Sequence, residues 1–303
     1  MAVMTRQQFA KQLQDGLNTV FGMAYDDFET QYDKIFATHN SDKAYEEDVL
    51  MVGLGGAVAK AEGAAVTYDT GSEGWVSRYQ HTTIALAFAI TEEAVEDNRY
   101  GDLGAKYSKA LARSMRYTKE VRGASVINNA FDSNYTYGDG KVLCATDHPL
   151  MGGGSFANRP TTHADLSEES LEDAAIAIEA FVDDRGIPIQ VKPKRLVVHR
   201  SNKPNAHRLL QSDLQAYTAN NATNYVKDMR ITGEGFIVNQ YLSDSDAWFL
   251  ITDAQDGLKH FVRKKLSRGM EGDFETGNMR YKARERYSFG VTDPRGIWGT
   301  AGI

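Results

Sequence analysis

Residues 103–129 set the first constraint on this chain. Leu103, Tyr107, Ala110, Leu111, Ser114, Thr118, Val121 and Ser125 fall on one stripe at helical spacing, and Lys106, Lys109, Arg113 and Arg116 occupy the opposite side. At 1.5 Å per residue the segment predicts a rod of roughly 40 Å. A compact chain of 303 residues has a radius of gyration of about 19 Å. One helix would cross most of such a body, so a flattened or elongated molecule is expected.

The clearest strand signal lies just upstream. Ile84, Leu86, Phe88 and Ile90 alternate with Ala85, Ala87 and Ala89, which puts large side chains on one side and small ones on the other. Val66–Tyr68 runs into the turn-forming residues 69–74, and 75–79 run out of them. These signals predict a long hairpin over 61–90. A two-stranded hairpin alone in water is marginal, so this one needs a surface to lie on.

The other elements follow from local chemistry. Residues 5–15 read as a helix stopped by Gly16, and 17–60 as an extended, partly irregular arm carrying Phe21, Tyr25, Phe28, Tyr32, Phe36 and Tyr45. Thr91, with Glu92 and Glu93, predicts a short helix ending before Gly101. Residues 132–165 are loop-rich. Ser167 caps a further helix, with Leu166 and Leu171 as a staple and Gly186 and Pro188 beyond its end. Pro204 opens a helix over 204–212, and strands are expected at 195–199, 235–238, 247–252 and 280–291. The fold class is α+β.

Composition excludes several functions. The net charge is −7, from 34 basic and 41 acidic residues, which disfavours a generic nucleic-acid binder. Residues 1–100 hold seven Lys/Arg against sixteen Asp/Glu, leaving 27 against 25 for the remainder. That acidic third is either a solvated arm or a complement to surfaces on other copies. The basic side at 106–122 is a solvated face, a partner for acidic segments of a neighbour, or a phosphate contact. The longest apolar run, Ile84–Ile90, is far short of the roughly 20 residues that span a membrane. The first residues carry no apolar signal-peptide core.

Catalytic signatures are sparse. Gly53–Val58 lacks the third glycine of a dinucleotide loop, and neither a P-loop nor a Gly-x-Ser-x-Gly elbow occurs. Cys144, the only cysteine, precedes His148 by four residues with Asp147 beside it. Those residue types could serve a thiol enzyme, but triads assemble across a fold, and capping of a loop is the plainer role. No catalytic, metal or cofactor site is expected.

The order of segments resembles the major capsid proteins of tailed bacteriophages with the Hong Kong 97-type fold, and the Mu-like major head subunits in particular. The stretches that carry the resemblance are 138–149 with the Gly/Asn-rich loop to Asn158, then 166–171, 184–188, 193–198, 206–212, 247–250 and 286–297. The resemblance implies an N-terminal arm over 1–60, an extended loop over 61–90 lying across an adjacent subunit, and a peripheral domain with a spine helix over 91–139. It implies an axial domain over 140–270 and a C-terminal return to the peripheral domain over 271–303. The implied partners are other copies, as pentamers and hexamers of an icosahedral shell, a separate scaffolding protein, a portal protein and weakly held double-stranded DNA. The implied location is the virion, after assembly in the host bacterial cytoplasm, with no membrane contact. An encapsulin-like nanocompartment shell is the alternative of the same fold. Trp75, Arg78, Tyr79, Phe21, Tyr25 and Phe28 are the expected subunit contacts. Residues 61–90 contain no lysine, so no isopeptide crosslink is expected from that loop.

Overall fold

The computed structural model describes residues 6–91, 93, 100–214, 223–273 and 277–303. The expected helix after Thr91 lies almost wholly outside these residues. In chain order the elements are α1 (Arg6–Asp26), β1 (Ala37–Asn40), β2 (Tyr45–Val52), β3 (Ser72–Gln80), β4 (Thr82–Ile90) and α2 (Tyr100–Asn128). Next come β5 (His148–Pro149), β6 (Ser155–Phe156), α3 (Glu168–Glu179), β7 (Pro193–Val198), α4 (Lys203–Gln211) and α5 (Tyr225–Asp228). The chain ends with β8 (Phe236–Val238), β9 (Trp248–Thr252), β10 (Leu258–Gly272), β11 (Met279–Val291) and β12 (Ile297–Thr300).

Two sheets organise the chain. One has the order β1-β10-β11-β4, and the other β12-β9-β7-β8. Helix α2, 29 residues and about 43 Å long, lies with α1 on one face of the first sheet. Leu17 and Phe21 of α1 pack with Leu111, Ala112 and Met115 of α2 and with Tyr281 and Ala283 of β11. Helix α1 approaches closely enough for the Ser108 hydroxyl to donate to the Leu17 carbonyl at 3.0 Å. The second sheet is buried on both sides, as the unbroken apolar runs of β7 and β9 require. Helix α3 covers it through Leu171, Ala174 and Ile178. Its start is a reciprocal cap, in which Ser170 N–H donates to Ser167 Oγ and Ser167 N–H donates to Ser170 Oγ. A third cluster, with Ile127, Cys144, Val197, Phe249, Leu258, Val291 and Ile297, joins the two sheets.

Four expectations need correction. The arm at 17–60 is not extended: α1 continues through Gly16 to Asp26, because Leu17 and Phe21 gain burial on α2 that outweighs one glycine. The hairpin is not 61–90. Strand β3 pairs antiparallel with β2, from Tyr45↔Gln80 to Val52↔Ser72, while β4 joins the first sheet beside β11. Three of the four large side chains of β4 turn to the chain's own body, Ile84 and Phe88 against the α1–α2 cluster and Ile90 buried, while Leu86 stays 46% exposed. The buried side of α2 is also rotated from the expected stripe: Ser108, Leu111, Met115, Lys119, Glu120, Ala124 and Ile127 are buried, while Tyr107 is exposed. Small residues at that face permit the close approach, and Lys119 is tolerated there because Glu285 meets it at 3.4 Å.

Candidate assembly surface

Strands β2 and β3 form a two-stranded ribbon whose ends are 45 and 80 and whose distal loop is 53–71. The base of the ribbon is fixed to the body by buried polar bonds. Tyr79 Oη lies 2.6 Å from Thr292 Oγ1, which donates to Asp48 Oδ2 at 2.6 Å. Asp48 also pairs with Lys259, whose other partner is Asp256 at 2.6 Å. Burial works against the charge on Lys259, but the two carboxylates outweigh it and hold its pKa above the ordinary value. His81 bridges Ser288, at 3.0 Å, and Ser41, at 2.9 Å, and burial lowers its pKa. The fit leaves no room for side chains on the body: a Cβ on Gly138 would lie 2.9 Å from the Val76 carbonyl, and one on Gly290 would lie 2.7 Å from the Tyr79 ring.

The distal part is different. Leu54 is 60% exposed, Val58 72%, Val66 64% and Tyr68 93%. Polar contacts from the body to this loop come through Arg185, which donates to the Thr70 carbonyl at 2.6 Å and lies 3.8 Å from Asp69. Asp69 also accepts the Gly55 and Thr70 N–H groups, and these bonds hold its pKa low. The subunit therefore grips the ribbon firmly at its root and leaves the apolar tip uncovered.

The six expected contact residues scatter. Phe21 and Tyr79 are buried in their own chain, at 0% and 3% exposure, Phe21 in the core and Tyr79 at the root of the ribbon. Their burial follows from α1 docking and from the Thr292 bond. Trp75 is half-buried and lines a small cavity together with Tyr137, Leu143, Val291 and Pro294. Tyr25 is half-buried and stacks with Phe21 at 6.0 Å, beneath the Arg116 guanidinium at 4.8 Å, and burial pushes its pKa up to about 12. Arg78 and Phe28 are open to solvent, Arg78 lying 4.0 Å over the Tyr45 ring. Leu54 and Val58 carry no strand signal, because Gly and Ala surround them, and Val66 and Tyr68, expected in a strand, lie in the exposed loop instead. The lysine argument also falls: the ribbon as paired carries Lys60 in its distal loop, so its composition no longer excludes a crosslink.

Cys144 and His148 do not form a catalytic pair. The Cys144 side chain is fully buried in the central cluster, and burial raises its thiol pKa. His148 is held between Asp139 Oδ2, 2.5 Å from Nδ1, and Asn158 Oδ1, 3.0 Å from Nε2. Burial opposes the Asp139 charge, but the His148 bond and the Lys141 N–H leave its pKa lowered. No group of three or more potential metal ligands occurs among the described residues. Asn158 is the organising residue here. Its Oδ1 accepts the Ala145 N–H at 2.8 Å, and its Nδ2 donates to the carbonyls of Leu143, Pro294 and Ile297. Asn158→Ala is expected to cost about 3 kcal/mol, since buried groups lose their partners. Urea unfolding of the unassembled subunit checks this, as a lower midpoint at unchanged slope.

Known proteins share this architecture. A virus-like particle from Pyrococcus furiosus has 10% identity and a TM-score of 0.51, with 94% of this chain and 98% of that one aligned. The procapsid of bacteriophage JBD30 gives 14% identity and a TM-score of 0.51 over 98% and 76% of the two chains. The capsid of an empty GTA particle gives 12% and 0.51 over 90% of each. At these identities the likeness is one of fold, and the fold is the Hong Kong 97 type. No curated protein sequence matches the chain. The family described as phage capsid protein matches residues 75–299, most of the chain, from the inner limb of the ribbon to the last strand. With a well-anchored ribbon, an uncovered tip and that match, the chain belongs to the phage capsid protein family and serves as a structural subunit of the capsid.

Proposed function

We propose that copies of this chain close into an icosahedral phage head of pentamers and hexamers, joined chiefly by the ribbon. The observation that carries this is the exposure of Leu54, Val58, Val66 and Tyr68 on an element otherwise bonded to the body. A tip of that kind gains stability when a neighbour covers it, and around a ring each copy gives and receives the same contact. In this reading α1, β1, β4, α2, β10 and β11 form the peripheral domain. The second sheet with α3, α4 and α5 forms the axial domain, and β12 belongs to that sheet. The ribbon of 45–80 takes the role expected for 61–90. Assembly takes place in the host bacterial cytoplasm with a separate scaffolding protein and a portal protein, and the shell holds double-stranded DNA by weak contacts. A nanocompartment role is disfavoured by the phage capsid match. A catalytic role has no support from Cys144 or His148, which packing and hydrogen bonds already occupy.

Replacing 54–68 by a two-glycine link tests the ribbon's part. Negative-stain microscopy is expected to show closed particles for the natural chain and only small oligomers for the shortened one. Particles of unchanged size from the shortened chain would remove the ribbon from the contact.

A further inference from the structure

A small polar pocket of about 150 Å³ lies where the ribbon joins the body. Its polar lining is Gln80, Thr82, Arg122, Ser125, Tyr287 and Ser288. Every one of these side chains can donate a hydrogen bond, one is a cation, and no carboxylate lines the pocket. Two of the donors lack partners. Arg122 is exposed and forms no ion pair among the described residues. Tyr287 is 2% exposed, yet its hydroxyl has no hydrogen-bond partner among those residues. A buried polar group left in that state is costly and calls for a physical reason. The two groups are neighbours: burial and then Glu285 raise the Tyr287 pKa, and the Arg122 charge is near enough to oppose them.

Charges outside the lining add to the positive field. His81 stands between Gln80 and Thr82 and lies 3.0 Å from the Ser288 hydroxyl. Burial first, and then the charges of Arg286 and Arg263, lower its pKa, so two further arginines bear on this joint. The nearby acids are engaged elsewhere. Glu46 holds Ser41 and Lys43, and Glu285 meets Lys119. A chain of net charge −7 thus leaves one recess with uncompensated positive charge, and a recess of one sign concentrates counter-ions. We infer that this pocket binds a small free oxyanion of the phosphate class, held by Arg122 and the Tyr287 hydroxyl with Gln80 and Thr82 at its rim. Guanidinium suits such a ligand because two parallel N–H groups can meet two oxygens. Gln80 ends β3, Thr82 begins β4 and Arg122 belongs to α2, so the anion clamps the root of the ribbon to the long helix. The inference concerns the single subunit and stands apart from the shell reading.

Inorganic phosphate is the probe. The unassembled full-length chain is titrated with it by calorimetry, and thermal midpoints are measured in phosphate and in chloride at equal ionic strength. Circular dichroism confirms folding of each variant. The natural chain is expected to bind at one saturable site and to melt higher in phosphate, since a ligand held only by the folded state stabilises it. Arg122→Gln should weaken binding about tenfold, the loss of a charge-assisted bond. Tyr287→Phe should weaken it about threefold. In chloride the Phe variant should be at least as stable as the natural chain, because it removes a buried hydroxyl that has no partner. Its rise in midpoint on adding phosphate should be the smaller one, a difference that a purely structural tyrosine would not produce. The inference is overturned if the natural chain melts alike in phosphate and chloride, or if either variant binds phosphate as tightly as the natural chain. A duplex oligonucleotide that raises the midpoint where phosphate does not would also overturn it, marking a nucleic-acid surface instead.

Discussion

Replacing Arg295 by Met is expected to remove a large part of the subunit's stability. The guanidinium is 3% exposed and lies between two buried carboxylates, Asp184 at 3.4 Å and Asp293 at 3.3 Å. It also donates from Nε to the Val182 carbonyl at 2.8 Å and sits 4.5 Å over the Phe156 ring. Burial raises the Asp293 pKa, and Arg295 is the chief influence holding it down. The residue therefore ties the loop after α3 to the turn before β12. Methionine fills most of the volume but strands two carboxylates side by side. Removing one partner of a buried ion pair costs about 3–5 kcal/mol, a large part of the 5–15 kcal/mol that holds a typical domain. Denaturant unfolding of the unassembled chain measures it. A loss under 1 kcal/mol would mean that the carboxylates find other partners. Asp184→Asn/Asp293→Asn added to the Met variant should restore part of the stability, which separates the charge from the packing.

Lys119→Met should be nearly as damaging, and its effect should depend on pH. Lys119 is buried on α2, 3.4 Å from Glu285 of β11, with the Tyr32 and Tyr287 rings about it at 5.2 and 5.1 Å. Burial already lifts the Glu285 pKa above 4.5, and Lys119 is the main group opposing that rise. His260, beside Tyr32 and Tyr287, offers no replacement cation near neutral pH, since burial first and Lys119 second lower its pKa to about 3. Without Lys119 the Glu285 pKa moves further up. A carboxyl whose folded pKa exceeds its unfolded value contributes stability below the unfolded pKa and loses it as pH rises through the folded one. The deficit of the variant against the natural chain should therefore be about 3–5 kcal/mol at pH 7 and shrink as the pH falls toward 4.5. A deficit independent of pH would show that packing and not charge is responsible. Lys119→Met/Glu285→Gln should recover part of the loss at pH 7.

The elements that were readable from residues alone are those stabilised within a short window. Helix α2, the Ser167 cap and the apolar strands β7 and β9 all appear within a few residues of expectation. Strand β10 was invisible because Arg263, Lys264, Lys265, Arg268, Gly269 and Gly272 break any apolar alternation. It is a strand because β1 and β11 bond to its two sides. The burial of Phe21 and Tyr79 is likewise set outside any short window. Aromatic type picked out Phe21 and Tyr79, but burial depends on what arrives from elsewhere in the chain, here α2 for Phe21 and Thr292 for Tyr79.

Local periodicity, caps and turn residues by themselves determined that this chain holds a long helix, a ribbon and an α+β body. The resemblance to capsid subunits rests on particular stretches such as 138–149, 193–198 and 286–297 beside that order of pieces. Folding in three dimensions alone decided that residues 72–80 pair with 45–52, that β4 joins β11, and that Lys119 turns inward while the cations of β11 turn outward. The reason is range. A period of two or 3.6 residues is written in neighbours, whereas a strand's partner and a buried charge's counter-ion lie tens to hundreds of residues away and are chosen by the packing of the whole.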